Sequence, residues 1–193
     1  MTRDFLDSPV EPSVIEECVD LASRAPSAGK AQGWAMVGLL GADTHRYWDA
    51  ALPAAKRGGF AFPGLLRAGF VGIVTADPTA YVERYGEPDK EHTGLGESPE
   101  AWSVPYWTVD ASMAVMTFLL ALHDHGLGAL FFAVAHEEAV RDALSIPPTV
   151  EVIGAIAAGV PAGGDVRPGR SAGRARRAPG EIVRWGGWTP AGR

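Results

Sequence analysis

The sequence has only one cysteine, Cys18, among its 193 residues. A single thiol cannot form a disulfide within the chain, and its place in a helical pattern favours a small buried apolar residue. The chain also has no run of 18 or more apolar residues, so we predict no membrane-spanning helix. Its opening residues, MTRDFLDSPV, have no apolar centre and do not resemble a secretion signal. Together these features predict a cytoplasmic protein.

Common nucleotide-binding and catalytic motifs are missing as well. The sequence has neither a Gly-x-x-x-x-Gly-Lys phosphate loop nor a Gly-x-Ser-x-Gly nucleophile turn. Gly126-x-Gly128 matches half of a dinucleotide fingerprint. That fingerprint follows a strand and opens a helix, whereas here a helix is predicted before it and a strand after it. His123 and His125 are two residues apart on a predicted helix and do not face each other, so we predict an exposed helix end rather than a metal site.

Charge is distributed unevenly along the chain. Residues 160–193 contain seven arginines and two acidic residues, a net charge of +5, so the remainder carries −11 within the overall −6. An arginine-rich surface segment is usually only solvated, but Arg174-x-Arg176-Arg177 is compact enough to bind a phosphate through forked hydrogen bonds. Nucleic-acid binding is the other use of such a segment. The acidic body argues against it, and so does the lack of aromatic residues alternating with the arginines.

The segment Trp102–Val134 organises the predicted fold. A helix with as few polar residues as 109–122 belongs inside a core; those residues are Asp110, Ser112 and Thr117. Gly126 can close this helix in a left-handed conformation. The uninterrupted apolar run 129–134 then predicts a strand covered on both faces.

Shorter elements alternate on either side of this segment. The patterns predict helices at 14–24, 44–55, 79–85 and 136–145, and strands at 34–40, 70–75 and 150–159. Ser13-x-x-Glu16 predicts a capping box on the first helix, and polar residues 86–101 predict a mobile loop. The alternation is typical of α/β or α+β proteins. We predict one domain over residues 1–193, with 160–193 as a C-terminal extension.

The loop 25–34 joins the first helix to the first strand. It can be a plain connection. Alternatively, its small side chains let a flat ligand approach the backbone, while Ser27, Lys30 and Gln32 supply directional polar contacts. Residues 131–134 could then form the apolar wall of the same pocket, with free backbone amides at its end, although phenylalanines such as Phe131 and Phe132 are more often core residues.

Taken in order, these segments resemble the FMN-dependent nitroreductase family. Residues 2–5 (TRDF) are similar to the end of its Arg-x-Ser-x-Arg/Lys-x-Phe signature, and residues 24–34 (RAPSAGKAQGW) to its Ala-Pro-Ser-x-x-Asn-x-Gln-Pro-Trp loop. Residues 110–129 resemble its core helix and Gly-Leu-Gly-Ala turn, while 146–147, 153–161, 174–177, Pro179 and Trp188 resemble its later segments. The sequence departs from the family at Lys30, which replaces asparagine, at Gly33, which replaces proline, and at Ala133-Val134, which replaces a polar-glycine pair.

The resemblance implies an α+β fold with a central, mostly antiparallel sheet flanked by helices, in an intertwined homodimer with residues 160–193 packing on the partner. It implies FMN at the subunit interface and no nucleic acid or membrane. NAD(P)H or a similar donor would supply electrons to a small nitroaromatic, quinone or enone, with residues 81–107 as a lid. Arg3, or Lys30 as a second candidate, would lie near flavin N1 and C2=O. The other implied cofactor-binding residues are Pro26, Ser27, Ala28, Gln32, Phe132, Ala133 and Val134 around the ring and Arg174 and Arg176 at the phosphate; no catalytic side chain is implied.

Two alternatives remain at this point. The first is a flavin-binding or flavin-storing protein of the same fold with little turnover. The second is an interaction protein that uses its basic tail on nucleic acid or on an acidic partner.

Overall fold

The computed structural model describes residues 1–164, 168–169 and 171–188. Its strands are β1 (Trp34–Leu40), β2 (Phe70–Ala76), β3 (Gly128–Phe132) and β4 (Glu151–Gly159). Its helices are α1 (Pro12–Ala22), α2 (Thr44–Ala51), α3 (Ala54–Arg57), α4 (Pro78–Tyr85), α5 (Tyr106–Asp124), α6 (Glu137–Leu144) and α7 (Pro179–Ile182). No helix in the described part of the chain is both long and apolar enough to cross a bilayer.

The strands form one antiparallel sheet in the order β1-β2-β4-β3. This arrangement confirms the predicted α+β class with an antiparallel sheet and decides against α/β. The hydrophobic strands β2 and β4 lie in the centre, and every residue of β2 is buried. β1 and β3 are the two edges, so the loop before β1 and the loop after β3 lie on opposite sides of the sheet.

Each face of the sheet has its own core. On one face, α1, α4 and α5 pack around Phe70, Val74, Phe118 and Ile156. On the other face, α2 and α6 enclose a second core, whose buried residues include Phe5, Tyr47, Trp48, Val71, Ile73 and Leu130. β3 contributes to both because its side chains alternate: Phe131 packs with the first core and Phe132 with the second.

The long helix α5 differs from the prediction in one respect. Phe118 and Leu122 are fully buried, but the opposite side of the helix exposes large apolar side chains. These residues are Tyr106, Val109, Met116 and Leu120. In the single chain, one side of α5 is therefore buried in the core, and the other side is an exposed apolar stripe. Gly126 closes it with φ 74°, as predicted, and its N–H donates to the His123 carbonyl at 3.0 Å.

The N-terminal arm extends the sheet beyond β3. The Thr2 N–H donates to the Ala129 carbonyl at 2.9 Å, and Phe5 forms an isolated antiparallel bridge with Pro161. Phe5 is fully buried, and Arg67 donates to its carbonyl at 2.8 Å. These contacts fix the position of Arg3, which lies between the two anchor points.

Several local predictions were wrong. α1 starts at Pro12, one residue before Ser13, and no side chain caps it, so the capping box does not form. The helical pattern at 44–55 was expected to be limited or kinked by Pro53, and the structure does divide it there into α2 and α3. β3 ends at Phe132 rather than residue 134, since its ladder with β4 stops at the pair Phe132–Ala155.

The segment 86–105, which includes the loop predicted at 86–101, contains local structure. It contains two short 3₁₀ turns, at Glu91–Thr93 and Pro99–Ala101. The Trp102 indole is nearly buried, its N–H donates to the Leu95 carbonyl at 2.9 Å, and its ring lies edge-on to Tyr85 at 4.6 Å. An aromatic anchor thus attaches the segment to α4.

Candidate functional site

A pocket of about 400 Å³ opens on the α2 face of the sheet, beside the end of β3. Its walls are mainly aromatic and aliphatic, and among the described residues Arg3 is the lining residue with a charged side chain. The lining includes Tyr47, Trp48, Phe60, Phe62, Leu130, Phe131, Phe132 and Ala133. We call this space the Arg3 pocket. Its volume and its apolar character are those of a small-molecule site.

Arg3 is held in a defined place in this pocket. Its guanidinium carbon lies 5.3 Å from the centre of the Phe62 ring, which gives a cation–π contact. Gly169 also lies close to the guanidinium, because a Cβ built there would be 3.0 Å from a terminal nitrogen of Arg3. A fixed cation at the end of an apolar slot is suited to a flat ligand that carries partial or full negative charge at one edge.

The residues after β3 supply hydrogen-bond donors to the same pocket. Among the described residues, neither the Ala133 N–H nor the Val134 N–H donates to another group. Ala133 lines the pocket and is exposed, whereas Val134 packs against the second core and is not a lining residue. Unpaired amides next to an apolar wall can bind the polar edge of a planar ligand. Phe132 stacks on Trp48 with a 5° interplanar angle and 6.1 Å between the ring centres, so the two rings form one side of this wall.

The loop 26–32 lies elsewhere. Ala28 and Ala31 pack with α4 and α5, on the sheet face opposite the Arg3 pocket. The loop precedes β1, and the Ala133 amides follow β3, so the two lie at opposite edges of a four-stranded sheet, roughly 14 Å apart at ordinary strand spacing. One chain therefore does not bring together Ser27, Lys30 or Gln32 with Arg3 and Ala133.

The loop itself has an unusual backbone. Gly29, Lys30 and Gln32 all have positive φ values, 59°, 59° and 52°. Residues other than glycine rarely adopt this conformation unless their surroundings hold it. The Ser27 hydroxyl accepts the Gln32 N–H at 2.9 Å, while Pro26, Lys30 and Gln32 are exposed.

The loop is supported from behind by two helices. Asp110 on α5 is 2% exposed, and one of its carboxyl oxygens accepts the Ala28 N–H at 2.7 Å and the Tyr81 hydroxyl at 2.8 Å. Burial, and next the bond to Asp110, raise the pKa of the Tyr81 phenol far above its usual value. Tyr81 is therefore a permanent hydrogen-bond donor near neutral pH. Arg84 on α4 donates to the Gly29 carbonyl at 2.8 Å.

The structure describes both arginines that were predicted to bind the phosphate, but neither of them lies in the pocket. Arg174 and Arg176 are exposed on the C-terminal extension, and neither lines the Arg3 pocket. Three other arginines of the tail, Arg167, Arg170 and Arg193, lie outside the described residues. In the ranges that the structure describes, no group of acidic, histidine and cysteine side chains could hold a metal ion.

Comparison with known proteins identifies the family of this chain. The family model described as the nitroreductase family matches residues 1–160. The chain belongs to the nitroreductase family. This confirms the family suggested by the ordered segments, and membership supports an oxidoreductase activity.

Nitroreductase-family structures share the fold over nearly the whole chain. A nitroreductase-like protein from Streptococcus mutans superposes with a TM-score of 0.73 at 18% identity, covering 95% of this chain and 92% of that one. A nitroreductase family protein from Clostridium difficile 630 gives 0.68 at 17% identity, covering 97% and 93%. A curated relative, the 5,6-dimethylbenzimidazole synthase of Rhodobacter capsulatus, is 27% identical over 168 residues, 82% of this chain and 78% of the relative.

Sequence reasoning missed several residues of the site. The aromatic walls formed by Tyr47, Trp48, Phe60 and Phe62 were not predicted, because their approach to β3 depends on how α2 packs on the sheet. Asp110 was noted only as a polar residue in an apolar helix. An acidic residue among apolar ones could have indicated its role, since a buried carboxyl group in such a helix requires hydrogen-bond donors.

Proposed function

We propose that the protein is an FMN-dependent oxidoreductase that works as a homodimer, with each cofactor bound by both chains. The observation that carries this proposal is the Arg3 pocket, where an aromatic slot, a fixed cation and Ala133, whose amide has no partner among the described residues, come together. Bound FMN would supply reversible two-electron hydride chemistry, which amino-acid side chains do not provide.

Different residues of the pocket have different roles in binding such a ring. The apolar walls exclude water, which strengthens every electrostatic contact in the pocket. The Ala133 and Val134 N–H groups can donate to the polar edge of the ring, near N5 and O4. The Arg3 guanidinium is suited to stabilise negative charge near N1 and C2=O. Arg174 and Arg176 are proposed for the phosphate, as exposed arginines suited to forked hydrogen bonds.

A second copy of the chain would cover the apolar surfaces that are exposed in a single chain. The apolar stripe of α5 is uncovered, and a large exposed apolar surface of this kind usually marks an interface. The outer edge of β1 is also uncovered and borders an apolar groove that includes Ile15, Val19 and Trp34. An edge strand of this kind is available for pairing.

The C-terminal extension fits these uncovered surfaces. Ile182, Val183, Trp185 and Trp188 are exposed on their own chain, the two tryptophans by 89% and 85%. Their burial against a second copy would give the intertwined dimer. In that arrangement the loop 26–32 of one chain would complete the Arg3 pocket of the other.

The donor and acceptor are small molecules in this proposal. NADH or NADPH would reduce the bound cofactor, and a nitroaromatic, quinone or enone would reoxidise it at the same place. The curated relative is named as a 5,6-dimethylbenzimidazole synthase, so formation of 5,6-dimethylbenzimidazole is a second candidate reaction for the same site. We propose a cytoplasmic location and no nucleic-acid partner.

The test is a visible spectrum of the purified protein with and without added FMN, followed by anaerobic addition of NADH or NADPH. We expect a yellow protein that takes up FMN, bleaches with one of the two donors and recovers with a quinone. Slow bleaching, with recovery only in oxygen, would favour the flavin-storing alternative. Colourless protein that takes up no FMN would rule out both the oxidoreductase and the flavin-storing protein.

A second test is deletion of residues 167–193, which should lower FMN occupancy. A loss of partner binding with flavin retained would favour the interaction protein.

A further inference from the structure

Asp110 has no evident structural reason to be where it is. It lies in the largely apolar helix α5, with 2% of its surface exposed. Burying a carboxyl group is costly unless hydrogen bonds compensate, and an apolar residue of similar size would often stabilise a core more. Both of its observed bonds, from the Ala28 N–H and the Tyr81 hydroxyl, end on the same oxygen.

The Ala28 bond joins positions 82 residues apart in the sequence. It reaches the loop 26–32 immediately before the three residues with positive φ, Gly29, Lys30 and Gln32. A loop in this conformation needs external contacts to persist. Asp110 holds its start, and Arg84 holds its middle through the Gly29 carbonyl at 2.8 Å.

We infer that Asp110 is a positioning residue for cofactor binding, and that it acts on the site of the partner chain rather than on its own. This rests on the proposed FMN function. Through Ala28 it fixes the loop 26–32, and that loop lies across the sheet from its own Arg3 pocket. Tyr81 orients the carboxyl group by donating to the oxygen that accepts the Ala28 N–H.

The first experiment uses Asp110→Leu and Asp110→Asn in the full-length protein. Since one oxygen accepts both bonds, an asparagine can place its carbonyl oxygen there and keep them. We expect Asp110→Leu to weaken FMN affinity about tenfold or more, and Asp110→Asn to stay within about threefold of wild type, by fluorescence titration. Equal affinity of Asp110→Leu and wild type would overturn the inference, and so would an Asp110→Asn as weak as Asp110→Leu.

A second readout does not involve flavin. Hydrogen exchange of the Ala28 amide, measured by NMR on the apoprotein, should be slow in wild type and at least about tenfold faster in Asp110→Leu. Thr75→Val is the matched control because it removes a different buried polar group, a hydroxyl that donates to the Ala35 carbonyl at 3.4 Å. It should leave both Ala28 exchange and FMN affinity unchanged. Unaltered Ala28 exchange in Asp110→Leu would show that the observed bond does not fix the loop.

A mixed dimer tests the action on the partner. Arg3→Ala and Asp110→Leu chains carrying different tags are co-expressed, and the heterodimer is isolated. If each site takes Arg3 from one chain and the loop from the other, one site carries both defects and the other is intact. We then expect one tightly bound FMN per two chains. No tight site would overturn the inference, because it would mean that Asp110 serves its own chain. Failure of the wild-type protein to bind FMN, with slow Ala28 exchange retained, would remove the proposed function instead.

Discussion

The guanidinium of Arg3 lies over the ring of Phe62, 5.3 Å from its centre, in a pocket that is otherwise apolar. The ring comes from the loop between α3 and β2, and Arg3 comes from the N-terminal arm beyond β3. Their contact therefore closes the pocket between two parts of the chain that are far apart in sequence.

Replacement of Arg3 gives the most direct prediction. Loss of one hydrogen bond to a charged group costs about 1.5–3 kcal/mol, so we expect Arg3→Ala to weaken FMN binding by roughly ten- to a hundredfold. The reduction potential of any flavin that remains bound should fall, because the reduced form loses a neighbouring positive charge. Arg24→Ala, which removes an exposed arginine paired with Asp20, is the control. Unchanged affinity and potential in Arg3→Ala would remove Arg3 from the site.

Phe62→Leu should have a smaller effect of the same sign. A cation–π contact at a partly exposed site contributes about 0.5–1 kcal/mol. We expect FMN affinity to fall roughly two- to fivefold. The same titration measures it, and a loss as large as that of Arg3→Ala would mean that Phe62 contacts the ligand directly.

The family and the course of the chain could be predicted from the sequence, because helix and strand periodicity and the order of segments are local properties. β1 was predicted with its observed limits, and Gly126 closes α5 as expected. The assembly of the site could not be predicted in the same way. Whether the 26–32 loop meets the Arg3 pocket depends on the strand order β1-β2-β4-β3, which the sequence pattern does not determine. The role of Asp110 likewise depends on α5 crossing behind that loop.

Gly128 gives a prediction about the N-terminal arm. A Cβ at this position would lie 2.4 Å from the Thr2 Oγ1 and 2.7 Å from its Cβ. The arm must shift to accommodate it, and Arg3 would shift with it. We therefore expect Gly128→Ala to weaken FMN binding at least about threefold and to lower the melting temperature. Gly58→Ala is the control because no atom lies within 4 Å of the added Cβ. Wild-type affinity in Gly128→Ala would show that the arm can adapt without moving Arg3.

The ion pair between Arg84 and Asp89 predicts a pH effect. Arg84 donates to both oxygens of Asp89 at 2.8 Å, and this hydrogen bonding lowers the pKa of Asp89 below its usual value. Because the folded pKa is depressed, the contribution to stability is present above the unfolded value and is lost as the pH falls through the folded one. We expect the Asp89 carboxyl resonance to titrate on the acid side of an ordinary aspartate, and Arg84→Gln to raise its midpoint. An unshifted midpoint in the wild-type protein would contradict the pair in solution.

The last prediction concerns dimer formation through the exposed apolar stripe of α5. Met116 and Leu120 are 54% and 57% exposed in the single chain, on the side of α5 that faces away from the sheet. Charged residues there would have to be buried unpaired in a dimer, which is strongly unfavourable. We expect the wild-type protein to sediment as a dimer, and the double variant Met116→Glu/Leu120→Glu to sediment as a monomer that binds FMN at least about a hundredfold more weakly. Ala139→Glu, a charge added at an exposed position of α6, should remain dimeric and bind FMN normally. A double variant that is monomeric yet binds FMN with wild-type affinity would show that one chain holds the cofactor alone, and the two-chain site would be wrong.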